Sequence, residues 1–336
     1  MFRKASSLLT TAALLATLMI FFAASASAQS KKIVIATPGI PPIYSVTIAF
    51  LAKKQGFFKK HGADVDIRPF DNGTAAARAV VAGNVDMAYA PTPPVINQIS
   101  NASVPLVAVY GMQNPDWVVA TTEDSKTCKD LAGQDVGVDS IGGARSVALR
   151  SMLAGGCKEV KLGQIKQIAL GSSSGPAMIA GRLKYAVLHL DDLAEIIHQG
   201  KKVQVLLAMK NTNPTSHYLM LVIRKDNLAK NRDAVVRTVA GLIEAARFMQ
   251  DPKNADAVAD AASQTGHSKA VNLLALKQFL AIDFWATKDD GLPRKKLEAV
   301  AKLMKKIGAI KPDKTPVTYE ALVDTSVWKD ANAMVK

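Results

Sequence analysis

Residue types able to do chemistry are thinly spread in this chain, and one pentapeptide draws attention first. Gly171-Ser172-Ser173-Ser174-Gly175 fits the G-x-S-x-G pattern of a nucleophile elbow and falls between an expected strand and an expected helix. On that reading Ser173 attacks a carbonyl, with His267 and either Asp260 or Asp283 as later partners. No H-G-G-G-type oxyanion loop accompanies it, and the position 98 residues earlier is Ala75, so the loop also reads as one copy of a repeated element. The five histidines (His61, His189, His198, His217, His267) form neither H-x-x-x-H nor H-E-x-x-H, so no metal site is expected. Residues 137–145 are glycine-rich without G-x-G-x-x-G, and no G-K-[ST] occurs, so no cofactor is expected.

Cys128 and Cys157 are the only cysteines, and their spacing makes no C-x-x-C. Their reading depends on the compartment, and the first 28 residues address it. Arg3 and Lys4 precede a small-residue and apolar run over residues 8–24, and Ala26-Ser27-Ala28 follows. That is the pattern of a secretory signal peptide cleaved after Ala28, which predicts export to the periplasm. In an oxidising compartment a Cys128–Cys157 disulfide is the expectation, closing a loop at ~3 kcal/mol in the chain-entropy picture.

The basic excess, 42 Lys and Arg against 28 Asp and Glu, gives +14, or +12 once Arg3 and Lys4 are removed. The basic residues come as separated pairs such as Lys53-Lys54 and Lys305-Lys306, with no run of five or six. A nucleic-acid partner is therefore not expected; solvated helix faces are.

The elements that must carry these residues alternate. Strands are expected at residues 33–36, 65–70 and 85–90, with helices over 44–54, from 71–74 to 83, and from 91–94 onward. A second unit of the same order has strands at 135–139, 165–170 and 186–190 and helices reaching 153 and 199. Residues 81–88 (VAGNVDMA) and 179–186 (IAGRLKYA) match at an offset of 98, which also lays Gly73-Thr74 on Gly171-Ser172. Strands at 203–208 and 219–224 return between the units, and helices follow at 233–249, 255–263, 269–279 and 294–307. This β-α alternation predicts two α/β lobes with parallel strands. Ligands of such sheets bind outside the carboxyl ends of strands, where free helix-start N–H groups favour anions. The expected ligand-binding set is Thr37, Tyr44, Gly73, Thr74 and Thr92 from one lobe, and Ser140, Gly142, Gly143, Arg145, Ser172, Ser173 and His189 from the other. Tyr44 is offered either as a stacking surface or as core packing.

Residues 49–65 (AFLAKKQGFFKKHGADV), 82–88 (AGNVDMA) and 130–138 (DLAGQDVGV) resemble the signature segments of periplasmic substrate-binding proteins of ABC importers. They resemble in particular the branch that includes sulfonate-, taurine-, nitrate- and thiamine-precursor-binding components. The resemblance implies a type II-like periplasmic-binding-protein fold: two α/β lobes joined by hinge strands, with the C-terminal helices packed on the first lobe. It places lobe 1 at residues 29–120 plus 218–336 and lobe 2 at 121–217. It also implies a small-molecule ligand, an ABC permease as partner, and a monomer that catalyses nothing. Some relatives make a pyrimidine phosphate with a cysteine-rich segment and a histidine, which two separated cysteines do not supply. The candidate loops hold no arginine cluster, only Arg145, which leaves a sulfonate-like anion, another small anion or a small aromatic heterocycle as ligand classes. The secreted serine hydrolase using Ser173 is the alternative, and an extracytoplasmic sensor is a third use of the same fold.

Overall fold

The computed structural model describes residues 31–125 and 127–335, so the expected signal peptide lies outside the described residues. Two five-stranded sheets organise the chain. The first contains β1 (Ile33–Pro38), β2 (Val65–Phe70), β3 (Met87–Pro91), β4 (Leu106–Gly111) and β10 (Leu219–Arg224), in the order β2-β1-β3-β10-β4. The second contains β5 (Val118–Thr121), β6 (Asp135–Val138), β7 (Lys166–Ala169), β8 (Tyr185–Leu188) and β9 (Gln204–Ala208), in the order β7-β6-β8-β5-β9. In each sheet three parallel strands are followed by one antiparallel strand that pairs with both of its neighbours. The topology therefore repeats once, as the offset of 98 residues implied.

Period-2 alternation decides which residues face which layer. On the first sheet Ile33, Ile35, Met87, Tyr89, Leu219, Leu221 and Ile223 enter one core, and Ala36, Ala88, Ala90, Leu106, Ala108, Met220 and Val222 enter the other. The helices named below are α1 (Thr47–Lys54), α2 (Phe57–Lys60), α3 (Gly73–Val81), α4 (Thr92–Ala102), α5 (Ala144–Gly156), α6 (Ser174–Ile179), α7 (Leu190–His198), α8 (Lys225–Phe248), α9 (Lys269–Ala281), α10 (Arg294–Lys306) and α11 (Thr325–Met334). Helix α8 packs on α1, α2 and α11, and α10 packs on α4, so the C-terminal helices cover the first sheet. One of them does more: α9 lies against α7 of the second lobe, and a single apolar cluster runs from Val271 and Leu276 to Leu193, Ala194 and Ile196.

Strands β4 and β5 are additions to the sequence-based expectations. Both are fully buried runs (LVAVYG and VVAT), and neither is followed by an α-helix, so they fall outside the β-α alternation that marks the other strands. The pairing of Val118 with Leu188 puts β5 in the second sheet from its first residue. The chain thus crosses between sheets twice, over residues 112–117 and 209–218. The crossings are hydrogen-bonded at both ends, Met112 N to Leu219 O at 2.9 Å and Met209 N to Trp117 O at 2.9 Å.

Cys128 and Cys157 form the expected disulfide, with Cα atoms 6.1 Å apart. It ties the entrance of the second lobe to the end of α5, and buried Cys157 belongs to that lobe's outer core with Leu149, Met152 and Val160.

Candidate ligand site between the two sheets

The carboxyl ends of β3, β6 and β8, the loop that follows β1 and the two crossings meet in a polar cluster. Asp116, on the first crossing, is 1% exposed, and its Oδ2 lies 2.6 Å from His189 Nδ1 at the end of β8. The Trp117 ring lies tilted against His189 with centroids 3.7 Å apart, and Tyr218, on the second crossing, meets Trp117 edge-on at 5.1 Å. Burial alone would push the His189 imidazolium down, but the Asp116 carboxylate beside it reverses this and holds the pKa above the ordinary histidine value.

Asp191 and His267 bring the lobes together. Asp191 opens α7; its Oδ2 accepts from Tyr44 N at 3.4 Å and lies 3.6 Å from His267 Nε2. His267, which precedes α9, also places Nδ1 3.1 Å from Glu195 Oε2. Hydrogen bonding to Asp191, opposed by burial and helped by Glu195, raises His267 to about 9, so it is a cation at neutral pH. Burial works to raise the Asp191 carboxyl, and the hydrogen bond and charge of His267 with the charge of His189 bring it below the ordinary value.

Two expected anion-binding features are already filled by the chain. The first N–H groups of α5 point at Asp139, whose Oδ1 accepts from Ser140 N at 2.8 Å and Arg145 N at 3.1 Å and whose Oδ2 accepts from Ala144 N at 2.9 Å. Asp139 thus caps the helix that Ser140, Gly142 and Gly143 lead into. Arg145 is buried; it donates through Nη2 to Asp192 Oδ2 at 3.0 Å and through Nη1 to Val187 O at 3.1 Å.

The remaining expected residues divide by lobe and by burial. Thr37, next to last in β1, is fully buried, and its hydroxyl has no hydrogen-bond partner among the described residues. Thr92 is also buried, and its Oγ1 lies 2.7 Å from His217 Nδ1. Because His217 Nε2 lies 2.8 Å from the Gly291 carbonyl, Nε2 carries the proton, Nδ1 accepts, and the threonine donates. Burial lowers His217 to about 4, consistent with a neutral ring. The Tyr44 ring packs on Phe279 and Trp285, with its hydroxyl donating to Asn272 O at 2.8 Å, so of its two offered roles the ring takes core packing. Gly73 opens α3 against Pro91, where a Cβ would come within 2.3 Å of the proline ring. Thr74, Ser140, Gly142, Ser172 and Ser173 are exposed and Gly143 is half-buried. The Gly-hydroxyl pairs 98 residues apart differ locally. Gly73 is the first helical residue behind the Asn72 cap, whereas Gly171 has φ +59° and precedes α6 by three residues.

The hydrolase set does not assemble. Both ring nitrogens of His267 face Asp191 and Glu195, and Ser173 is an exposed residue at the start of α6 with φ −88°, not the left-handed strand-to-helix corner of an elbow. Asp116, Trp117, Asp191, Tyr218 and His267 join the site without having been expected as ligand contacts. Asp191 reads in sequence as a helix cap, and nothing in the composition of residues 112–118 marks a crossing.

Comparison with solved structures defines the class of fold. A protein from Bordetella bronchiseptica RB50 superposes with a TM-score of 0.71 at 20% identity, covering 91% of this chain and 98% of that one. The alkanesulfonate-binding protein SsuA from Xanthomonas axonopodis pv. citri, bound to MOPS, gives 0.65 at 15% identity over 87% and 98% of the two chains. The nitrate-binding protein NrtA from Synechocystis PCC 6803 gives 0.67 at 12% over 92% and 89%. The architecture is the periplasmic-binding-protein fold. Within it, the chain belongs to the family described as NMT1/THI5 like, which matches residues 44–255, more than half of its length. A Brucella abortus (strain 2308) protein that carries the provisional name of a binding protein is 28% identical over 215 residues; the match covers 62% of this chain and 65% of that relative's own length.

Proposed function

We propose that this protein is the extracytoplasmic solute-binding component of an ABC importer, capturing a small organic molecule between its two lobes and handing it to an inner-membrane permease. The observation that carries the reading is the Asp191 junction: a second-lobe carboxylate reaches the first-lobe Tyr44 N–H and His267 at the carboxyl ends of the strands. Contacts of that kind exist only when the lobes are together, so a ligand that supplies more of them shifts the open–closed population toward closure. The double crossing, bonded at each end, is the hinge in this reading, and lobe 2 is the contiguous segment between the crossings. Membership of the family, and the binding proteins among its structural neighbours, support a carrier that turns nothing over. The proposed protein is a periplasmic monomer, which leaves its faces free for the permease.

The test is mass spectrometry of whatever copurifies under native conditions, followed by a thermal-shift screen of amines, heterocycles, sulfonates and nitrate. A true ligand at 100 times its Kd adds ~2.7 kcal/mol of stability. Thr74→Val and Ser172→Ala then probe opposite lobes, and calorimetry is expected to find both weakened. Equal affinity in both variants places the solute elsewhere. Steady ester hydrolysis abolished by Ser173→Ala would instead establish the hydrolase.

A further inference from the structure

The charged groups at the junction do not balance. Among the described residues, five acids (Asp116, Asp139, Asp191, Asp192, Glu195) face three cations (Arg145, His189, His267). Arg145 is taken up by Asp192 and the Val187 carbonyl, His189 by one oxygen of Asp116, and His267 by Glu195 and one oxygen of Asp191. The second oxygens of Asp116 and Asp191 are both buried and have no hydrogen-bond partner among the described residues. The Asp116 side chain is wholly enclosed, and that of Asp191 is 10% exposed. A buried carboxylate oxygen without a donor is costly, so one on each of two neighbouring carboxylates is an acceptor kept for something that arrives. The carboxylates of Asp116 and Asp191 and the His189 ring each offer an atom within 4.8 Å of the others. Charge-assisted N–H···O bonds run ~2.8 Å, so one nitrogen centre with two or three N–H groups can reach both acids.

We infer that the solute carries an organic nitrogen cation (an ammonium, amidinium or guanidinium) which is held between Asp116 and Asp191. The inference rests on reading the inter-lobe junction as the solute site. It sets this chain apart from an anion carrier, because the α5 N-terminus already holds Asp139 and the one arginine at the junction already holds Asp192. It runs against the chain's overall +14, which makes the acidic junction a local arrangement and not a reflection of composition. A metal ion fits less well. His189 Nδ1 sits 2.6 Å from Asp116 Oδ2, a hydrogen-bond distance and shorter than the ~3.3 Å between two ligands of a tetrahedral site built on ~2 Å bonds.

Thermal unfolding of the exported protein with benzamidine, benzenesulfonate or zinc chloride separates the cases. Benzamidine is expected to raise the Tm in a saturable way, and Asp116→Asn and Asp191→Asn are expected to lose that rise. Should either variant fail to fold, the charge of the copurified molecule, read by native mass spectrometry, decides instead. An organic cation supports the assignment. A rise with benzenesulfonate alone, a copurified anion, or a zinc-induced rise reversed by EDTA overturns it, as does the absence of any benzamidine effect. The reading as a solute-binding protein fails separately, when nothing copurifies and no member of the wider solute panel shifts the Tm.

Discussion

The two lobes share a strand plan and differ in what they place at the ends of their strands. In the first, neutral hydroxyls stand at the ends of β1 and β3: Thr37, without a hydrogen-bond partner among the described residues, and Thr92, bonded to a neutral His217. In the second, β6 and β8 end in Asp139 and His189, with Arg145, Asp191 and Asp192 one turn away. A repeated topology thus fixes where polar groups converge and leaves their charge to each copy. At the strand ends the first lobe offers hydroxyls and the second offers charge, and the first-lobe cation, His267, comes from the C-terminal helical region instead.

That contrast can be broken first at its most highly charged point. Asp116→Ala leaves His189 buried without its counter-ion, and breaking a buried pair costs ~3–5 kcal/mol. Urea unfolding is expected to show that loss, and a change below ~1 kcal/mol would mean the second lobe does not depend on the pair. The first-lobe counterpart is Thr92→Val, which removes a neutral donor and leaves His217 Nδ1 unsatisfied. Its expected cost is smaller, ~1–3 kcal/mol, and a loss as large as that of Asp116→Ala would erase the distinction between lobes.

The smallest effect sharpens the comparison at the join. His267 is raised from 6.5 to about 9, so the stability it contributes is fully present below pH 6.5 and lost as pH rises through 9. A Tm profile from pH 6 to 10 is expected to slope downward in that window, and to slope less in His267→Gln. An unchanged slope in the variant would show that the contact with Asp191 and Glu195 contributes nothing to stability.

Much of this arrangement was legible in the residues. Short apolar runs separated by glycine and proline and alternating with capped helices marked β1, β2, β3 and their second-lobe counterparts. The offset between residues 81–88 and 179–186 exposed the repeat. Strands β4 and β5 stayed hidden because neither is followed by an α-helix of its own, so both fall outside the β-α alternation by which the others were read. The loops that carry Thr37, Thr92, Arg145 and His189 were found as strand ends. Their partners were not, since Asp116 and His267 reach the junction through tertiary contacts that span 73 and 72 residues of chain. Arg145 shows the same limit from the other side: its type suggested a free charge, and only its neighbour Asp192 shows that the charge is already used.

The strand order has a consequence for how the chain comes together. All five strands of the second sheet lie within residues 118–208, one uninterrupted stretch. The first sheet cannot close on itself in the same way, because β10 sits between β3 and β4 and is supplied by residues 219–224. A chain emerging amino end first therefore presents β3 and β4 with unpaired edges until the whole intervening lobe has passed. The lobe made second is the first able to finish, and the lobe made first waits with open edges of the kind that recruit other chains. Arrest of emergence before residue 219 leaves the first sheet without its fourth strand, whatever happens in the second.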